Sequence, residues 1–271
     1  MSQRGEPMKK IIKLNARERT AAKRALLGNS RKDLDKLTEA ELKIACTILE
    51  WEIGDVWGHV GVRLPDNKGI AVQLFRRAEE GKKDWLVYFD FKLNKLAGVG
   101  APPREAVIYT EIFKARPDVH AAVHCHASTC VAMSLADVPV SCVHVQSNRF
   151  GNGVPIYPRP IYILDEFEGA DLARTLGDAN AMMIKGHGIV TVGRTIDEAC
   201  LNAVYMERTA KIMATAQLFG FKKVPDDFIE QLTGSKQKLL SRGPRLAHSA
   251  EWNYYAERIH RGERWTRGGA S

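Results

Sequence analysis

Two histidines flank Cys125 at positions 124 and 126, a third stands between two glycines at His187, and Glu105 precedes all three. Neutral imidazoles bind zinc-like ions well, and three histidine ligands leave a coordination position open, so this set suits a catalytic divalent metal. The stretch Val119 to His126 reads as a strand running into the pair, and alternation then puts His124 and His126 on one face. Cys125 points to the other face and is read as structural. Small neighbours (Ala121, Ala122, Ala127, Ser128) leave room for a ligand sphere, and Gly186 and Gly188 allow close backbone approach at His187.

A chain of 271 residues, 45% of them hydrophobic, can build one substantial core. No apolar run is long enough for a membrane span, and Met1 to Arg24 is polar and basic, so a cytoplasmic protein without membrane contact is expected. The five cysteines are odd in number and lack any CxxC spacing, which fits reduced, buried thiols. The formal charge of +8 would attract anions, and much of the excess lies in Lys9 to Arg31 and Arg242 to Arg267. No nucleic-acid-binding motif accompanies these segments. They read as solvating ends, or as a guide for an acidic substrate, and no nucleic-acid partner is expected.

Three parts are expected. Residues 1–35 form a basic arm with a helix over Ala16 to Leu27. Residues 36–222 form the catalytic domain, opened by a capping-box pattern at Thr38 and Glu41 before the apolar stripe Leu42, Ala45, Ile48 and Leu49. Residues 223–271 form a helical extension with amphipathic pieces at Phe228 to Leu240 and Ala250 to Ile259. Its Trp252 to Trp265 segment suggests a lid. Within the domain, Val60 to Val62, Ile70 to Phe75 and Trp85 to Phe89 read as antiparallel strands. Pro102-Pro103 opens a helix that Pro117 stops, placing Glu105 in its first turn. Ala181 to Ile184 and Ile189 to Val192 flank a tight bend at His187, and Thr195 with Glu198 caps a long core helix ending at Gly220. Glu105 also fits an ordinary first-turn carboxylate favoured by the helix dipole, and the local pattern leaves both readings open.

Pro102-Pro103-Arg104-Glu105, Ala115-Arg116-Pro117-Asp118, His124-Cys125-His126-Ala127 and Gly186-His187-Gly188 resemble the class II aldolase/adducin family in order and spacing, over about Leu37 to Gly220. The resemblance implies an α/β fold with a central, mostly antiparallel sheet layered between helices, and a homotetramer with active sites between subunits. It also implies that His124, His126 and His187 hold one Mn2+ or Zn2+ per subunit, with Glu105 as catalytic acid/base. The family's sugar-phosphate aldolases hold phosphate with a Gly-Asn-x-Ser turn and a Ser-Ser pair. This chain has Gly58-His59-Val60-Gly61 and Pro103-Arg104 in those places, so the donors for a phosphate are missing.

His59, Arg63, Arg76 and Arg77 look like those of the branch that decarboxylates small hydroxy-aromatic acids. His59 is then a second catalytic candidate, and the three arginines are candidates to grip substrate carboxylates in bidentate fashion. Arg76 and Arg77 also fit a solvated strand end. The expectation is a metal-dependent, non-oxidative decarboxylase of a small anionic hydroxy-dicarboxylate. Suitable rings are 3-hydroxy-2-methylpyridine-4,5-dicarboxylate, from vitamin B6 breakdown, and 3,4-dihydroxyphthalate. The alternatives are a retro-aldol lyase for an unphosphorylated keto or sugar acid, and a non-catalytic adducin-like module.

Overall fold

The computed structural model describes residues 31–55, 57–64, 67–74, 86–98, 101–222, 224–225, 227–241 and 246–263. Most of the expected arm, including its helix over 16–27, and the two arginines Arg76 and Arg77 lie outside these residues.

Short apolar runs, alternating in the longer strands, give most of the eight strands among the described residues. An antiparallel meander comes first: β1 (His59–Arg63), β2 (Gly69–Leu74), β3 (Leu86–Asp90) and β4 (Lys95–Ala97). Helix α1 (Arg31–Ile53) precedes it, and α2 (Val107–Ala115), β5 (Ala121–Cys125) and α3 (Ser128–Leu135) follow. The chain then forms β6 (Ile156–Tyr157), α4 (Glu166–Leu176), β7 (Ala181–Ile184), β8 (Gly188–Gly193) and α5 (Ile196–Leu218), with α6 (Phe228–Ser241) and α7 (Leu246–His260) last. The sheet order is β4-β3-β2-β1-β5-β8-β7-β6, and of its neighbouring pairs β6 with β7 is parallel while the others are antiparallel. This is the mostly antiparallel α/β arrangement expected.

Both faces of the sheet are covered, which is why β5, in the middle, is buried along its whole length. On one face Val60, Val62, Val123, Cys125 and Ile189 pack against α1, α3, α5 and α7. On the other, Ile70, Val72, Ala122, Met182 and Val190 meet α2 and α4. The period of two in β1, β2 and β5 thus builds two cores from one sheet.

Four local expectations change. Helix α1 already runs from Arg31 through Thr38, so the Thr38/Glu41 pattern does not open it; the stripe Leu42, Ala45, Ile48 and Leu49 is buried as read. Glu105 lies in the turn before α2, not inside the helix: Ala106 N–H donates to Pro103 O at 3.0 Å, Ile108 N–H to Glu105 O at 3.0 Å, and the regular helix begins at Val107. Strands β4 and β6 and helix α4 were not anticipated. The first two are three and two residues long, too short to show a period, whereas α4 carries a legible cap, with Asp165 Oδ1 accepting from Glu168 N–H at 2.8 Å.

The fourth change concerns the C-terminal extension. Its two helices form where expected, but α7 does not serve as a lid. Trp252, Tyr255 and Ala256 are buried in the core with α1 and α5. Tyr255 donates to Glu52 at 2.6 Å and accepts from Arg208 at 2.6 Å, while Arg208 also pairs with Glu52 at 2.9 Å. Tyr205 of α5 reaches Glu251 of α7 in the same network. Deleting a buried indole leaves a large cavity, so Trp252→Ala is expected to lower unfolding free energy by about 3–5 kcal/mol. Chemical denaturation measures this; a loss below about 1 kcal/mol would show that α7 is not part of the core.

Candidate active site

Strand register brings the expected donors together. His59 in β1 is the partner of His124 in β5, and Cys125 is the partner of Ile189 in β8. Strands β7 and β8 form a hairpin with Ile184 opposite Gly188, so its turn, carrying His187, lies beside the end of β5. Both glycines there are required. A Cβ at Gly188 would sit 2.5 Å from the Cys125 carbonyl oxygen, and Gly186 has φ of +63°. Glu105 arrives from the other side on the turn before α2. One donor atom from each of Glu105, His124, His126 and His187 falls within 4.8 Å of the others.

The second ring nitrogen of each histidine shows what the first is for. His124 Nδ1 faces Ile189 O at 3.0 Å and His187 Nδ1 faces Ile161 O at 2.8 Å. A carbonyl can only accept, so Nδ1 carries the hydrogen in both rings and Nε2 presents a lone pair. His126 Nδ1 meets Asp55 Oδ2 at 3.0 Å, which leaves its Nε2 free in the same way. The Nε2 atoms of His124 and His187 are buried without a hydrogen-bond partner, and they face Glu105 Oε2 at 3.4 and 3.5 Å. Neither contact is a hydrogen bond, because with Nδ1 protonated both facing atoms are acceptors. Two nitrogen lone pairs and a carboxylate oxygen converging in a buried space repel one another unless a cation lies between them. The donor set therefore fits a divalent metal.

Charge states agree. Burial alone would raise the Glu105 carboxyl, but positive charge opposite it, as protons on the facing His124 and His187 nitrogens or as a cation in their place, together with Ile163 N–H donating to Oε1 at 2.9 Å, holds it well below the usual carboxylate range. Burial likewise opposes ionisation of Asp55, yet hydrogen bonds from His126 and from Trp57 N–H bring it down to about 2. The Asp55 bond raises His126 above the ordinary imidazole value, against the effect of burial.

His59 stands beside this cluster, its ring centroid 5.3 Å from that of His124. Tyr109 OH donates to the His59 carbonyl at 2.7 Å, which uses the single phenolic hydrogen, so His59 Nδ1–H donates to the phenol oxygen at 2.5 Å. The Nε2 atom of His59 is then an acceptor. Burial and the neighbouring His124 push its pKa down to about 3, so the ring is neutral. Gly61 makes this possible, because a Cβ there would lie 2.4 Å from the Tyr109 ring.

Arg63 is not brought to the cluster. It ends β1 where His59 begins it, and its guanidinium donates to the carbonyls of Val119 (3.1 Å), Phe113 (2.5 Å) and Arg116 (3.0 Å) and to Asn67 Oδ1 (2.6 Å). Those contacts tie β1 to the end of α2 and leave no free edge for a substrate carboxylate. Asp55, by contrast, was missed. It lies in the short segment between α1 and β1, where no spacing pattern marks it.

The family model described as Class II Aldolase and Adducin N-terminal domain matches residues 50–214. The chain belongs to this family. It is 25% identical over 210 residues to 3,4-dihydroxyphthalate decarboxylase of Arthrobacter keyseri, covering 70% of this chain and 84% of that one. It is 26% identical over 184 residues to 3-oxo-tetronate 4-phosphate decarboxylase of Haemophilus influenzae, covering 65% and 85%. The L-fuculose 1-phosphate aldolase structure from Glaciozyma antarctica PI12 superposes with a TM-score of 0.67 at 22% identity, covering 83% of this chain and 90% of the other. Decarboxylases and aldolases both break carbon–carbon bonds, and this family member is a carbon–carbon lyase. No helix among the described residues is long and apolar enough to cross a membrane.

A ligand that binds only the folded chain stabilises it by mass action, by about 2.7 kcal/mol at one hundred times its dissociation constant. Added Mn2+ or Zn2+ is therefore expected to raise the melting temperature of chelator-stripped protein, and His187→Ala to remove that rise. An equal rise in the variant would exclude His187 as a ligand.

Proposed function

We propose that the protein is a divalent-metal-dependent, non-oxidative decarboxylase of a small hydroxy-aromatic or hydroxypyridine dicarboxylate. The neutral, buried His59 beside the three-histidine cluster carries this reading, because it places a proton carrier where the phosphate turn of the sugar-phosphate aldolases would stand. The similarity to 3,4-dihydroxyphthalate decarboxylases supports it, and that compound and 3-hydroxy-2-methylpyridine-4,5-dicarboxylate are the first substrates to test.

In this reading His124, His126 and His187, with Glu105, would hold Mn2+ or Zn2+. The ion, when bound, supplies Lewis-acid stabilisation of the negative charge that develops on the ring hydroxyl oxygen. His59 Nε2, an acceptor in the resting state, takes the hydroxyl proton and returns it to the ring carbon that bears the departing carboxylate. The bond from that carbon to the carboxylate then breaks, carbon dioxide leaves, and its electron pair returns to the ring and the hydroxyl oxygen. Glu105 balances charge at the cluster and is the second candidate, beside His59, to relay that proton. Arg76 and Arg77 follow Leu74, the register partner of His59, and keep their proposed role of gripping substrate carboxylates. Exposed Tyr162, against His187, and exposed Trp57, whose N–H bonds Asp55, fit coverage by a neighbouring subunit, as in a homotetramer with sites between subunits.

Tyr162 lies edge-on to His187 with ring centroids 5.5 Å apart, which also favours a planar ring as occupant over an extended sugar acid. Retro-aldol cleavage of an unphosphorylated keto or sugar acid is the competing chemistry, because it needs the same metal-stabilised oxygen. Incubation with the two dicarboxylates, following carbon dioxide release, separates them. His59→Gln is expected to keep metal content and lower turnover by about 100- to 10,000-fold. Cleavage of a keto-acid aldol without carbon dioxide release from either ring would sink the decarboxylase reading, and unchanged turnover in His59→Gln would sink the role of His59.

A further inference from the structure

Three histidines belong to the cluster, but they are not held alike. His124 lies within the β5 ladder and His187 in the β7–β8 hairpin, and each leans through Nδ1 on a neutral backbone carbonyl. His126 lies one residue beyond the end of β5, outside the ladder, and its side chain keeps 30% of its accessible surface. Regular structure does not fix its ring. Asp55 does. This buried carboxylate accepts from His126 N–H at 2.8 Å and from His126 Nδ1–H at 3.0 Å through one oxygen, and from Trp57 N–H at 2.9 Å through the other.

We infer that Asp55 is the positioning residue that turns His126 into a metal ligand, and that it sets how tightly the site holds its ion. Bonding backbone and ring of one residue to one oxygen fixes both where His126 sits and how its imidazole is rotated. The anionic acceptor also leaves Nε2 a stronger donor than a neutral carbonyl would, and outer carboxylates of this kind typically govern metal affinity by 10- to 100-fold. An amide cannot replace it. To offer an oxygen to His126, an asparagine must turn its NH2 group onto the Trp57 N–H, and the opposite rotamer sets donor against both His126 donors.

This inference rests on the metal reading of the cluster, so wild-type binding is measured first. Competition of stripped protein with a chromophoric chelator for Zn2+ gives the affinity; no binding by the wild type defeats the metal reading itself. If the wild type binds, Asp55→Asn is expected to bind 10- to 100-fold more weakly, with turnover regained at high metal. Because Asp55 acts through His126, Asp55→Asn is expected to cost nothing further in a His126→Ala background. Equal affinity in Asp55→Asn, or additive losses in the double variant, would overturn the inference. Nitrogen-15 spectra of the wild-type imidazoles supply a readout that needs no variant: His126 is expected as the Nδ1–H tautomer with metal bound, and an Nε2–H tautomer would overturn the inference equally.

Discussion

The ladder of β1, β5 and β8 is the constraint on which the rest depends. Its register aligns His59 with His124 and ends β5 beside the start of β8, so one edge of three adjacent strands gathers residues far apart in sequence. A slip of one residue in β5 would turn His124 to the face packed by α1 and α5 and send Cys125 toward the donors. Burial on both faces forbids that slip, because each face of β5 already meets a filled core. The cores fix the register, and the register fixes the site.

Helix α3 then braces what the ladder cannot reach. It starts two residues after His126, and its N-terminus is capped by Glu207, a carboxylate of α5 exposed by only 2%. That carboxylate accepts from the Thr129 hydroxyl at 2.7 Å, from Thr129 N–H at 3.2 Å and from Cys130 N–H at 3.2 Å. Near its far end, Ser134 Oγ accepts from Gly186 N–H at 3.0 Å, while Lys185 reaches Asp137 at 2.6 Å. One short helix thus spans from the His126 side to the His187 turn. Because Glu207 occupies the N-terminal amides, that helix end is closed to a substrate anion.

Much of this was legible beforehand, for reasons that also explain what was not. The strands around His124 and the hairpin at His187 carry periodic apolar residues, and periodicity reports local structure well. Capping boxes were mixed in value. Thr195 does open α5, accepting from Glu198 N–H at 3.4 Å, whereas Thr38 lies inside α1, because nothing in the motif itself ends the preceding turn. Arg63 shows the limit of motif reasoning. It shares a strand face with His59, but four residues of strand separate them by about 13 Å, and the arginine is spent on the carbonyls at the end of α2. Asp55 shows the opposite limit. Its role comes from a long-range pairing with His126 that no spacing within the chain encodes, and only the placement of β1 against β5 reveals it.

The two buried carboxylates set the electrostatics a lyase needs. Glu105 and Asp55 are both held ionised, and the imidazoles must be neutral to bind an ion, so one divalent cation brings the cluster to a net charge near zero. A strongly positive site would bind a carboxylate substrate and the charge-shifted transition state alike, and such uniform binding does not speed the chemical step. A cluster neutralised by a cation would instead favour the oxygen where charge accumulates as the carbon–carbon bond breaks. For the proposed dicarboxylate substrate, recognition of the remaining carboxylate would be left to cationic groups outside the donor set. The chain's formal excess of +8 can supply these without altering the balance at the ion.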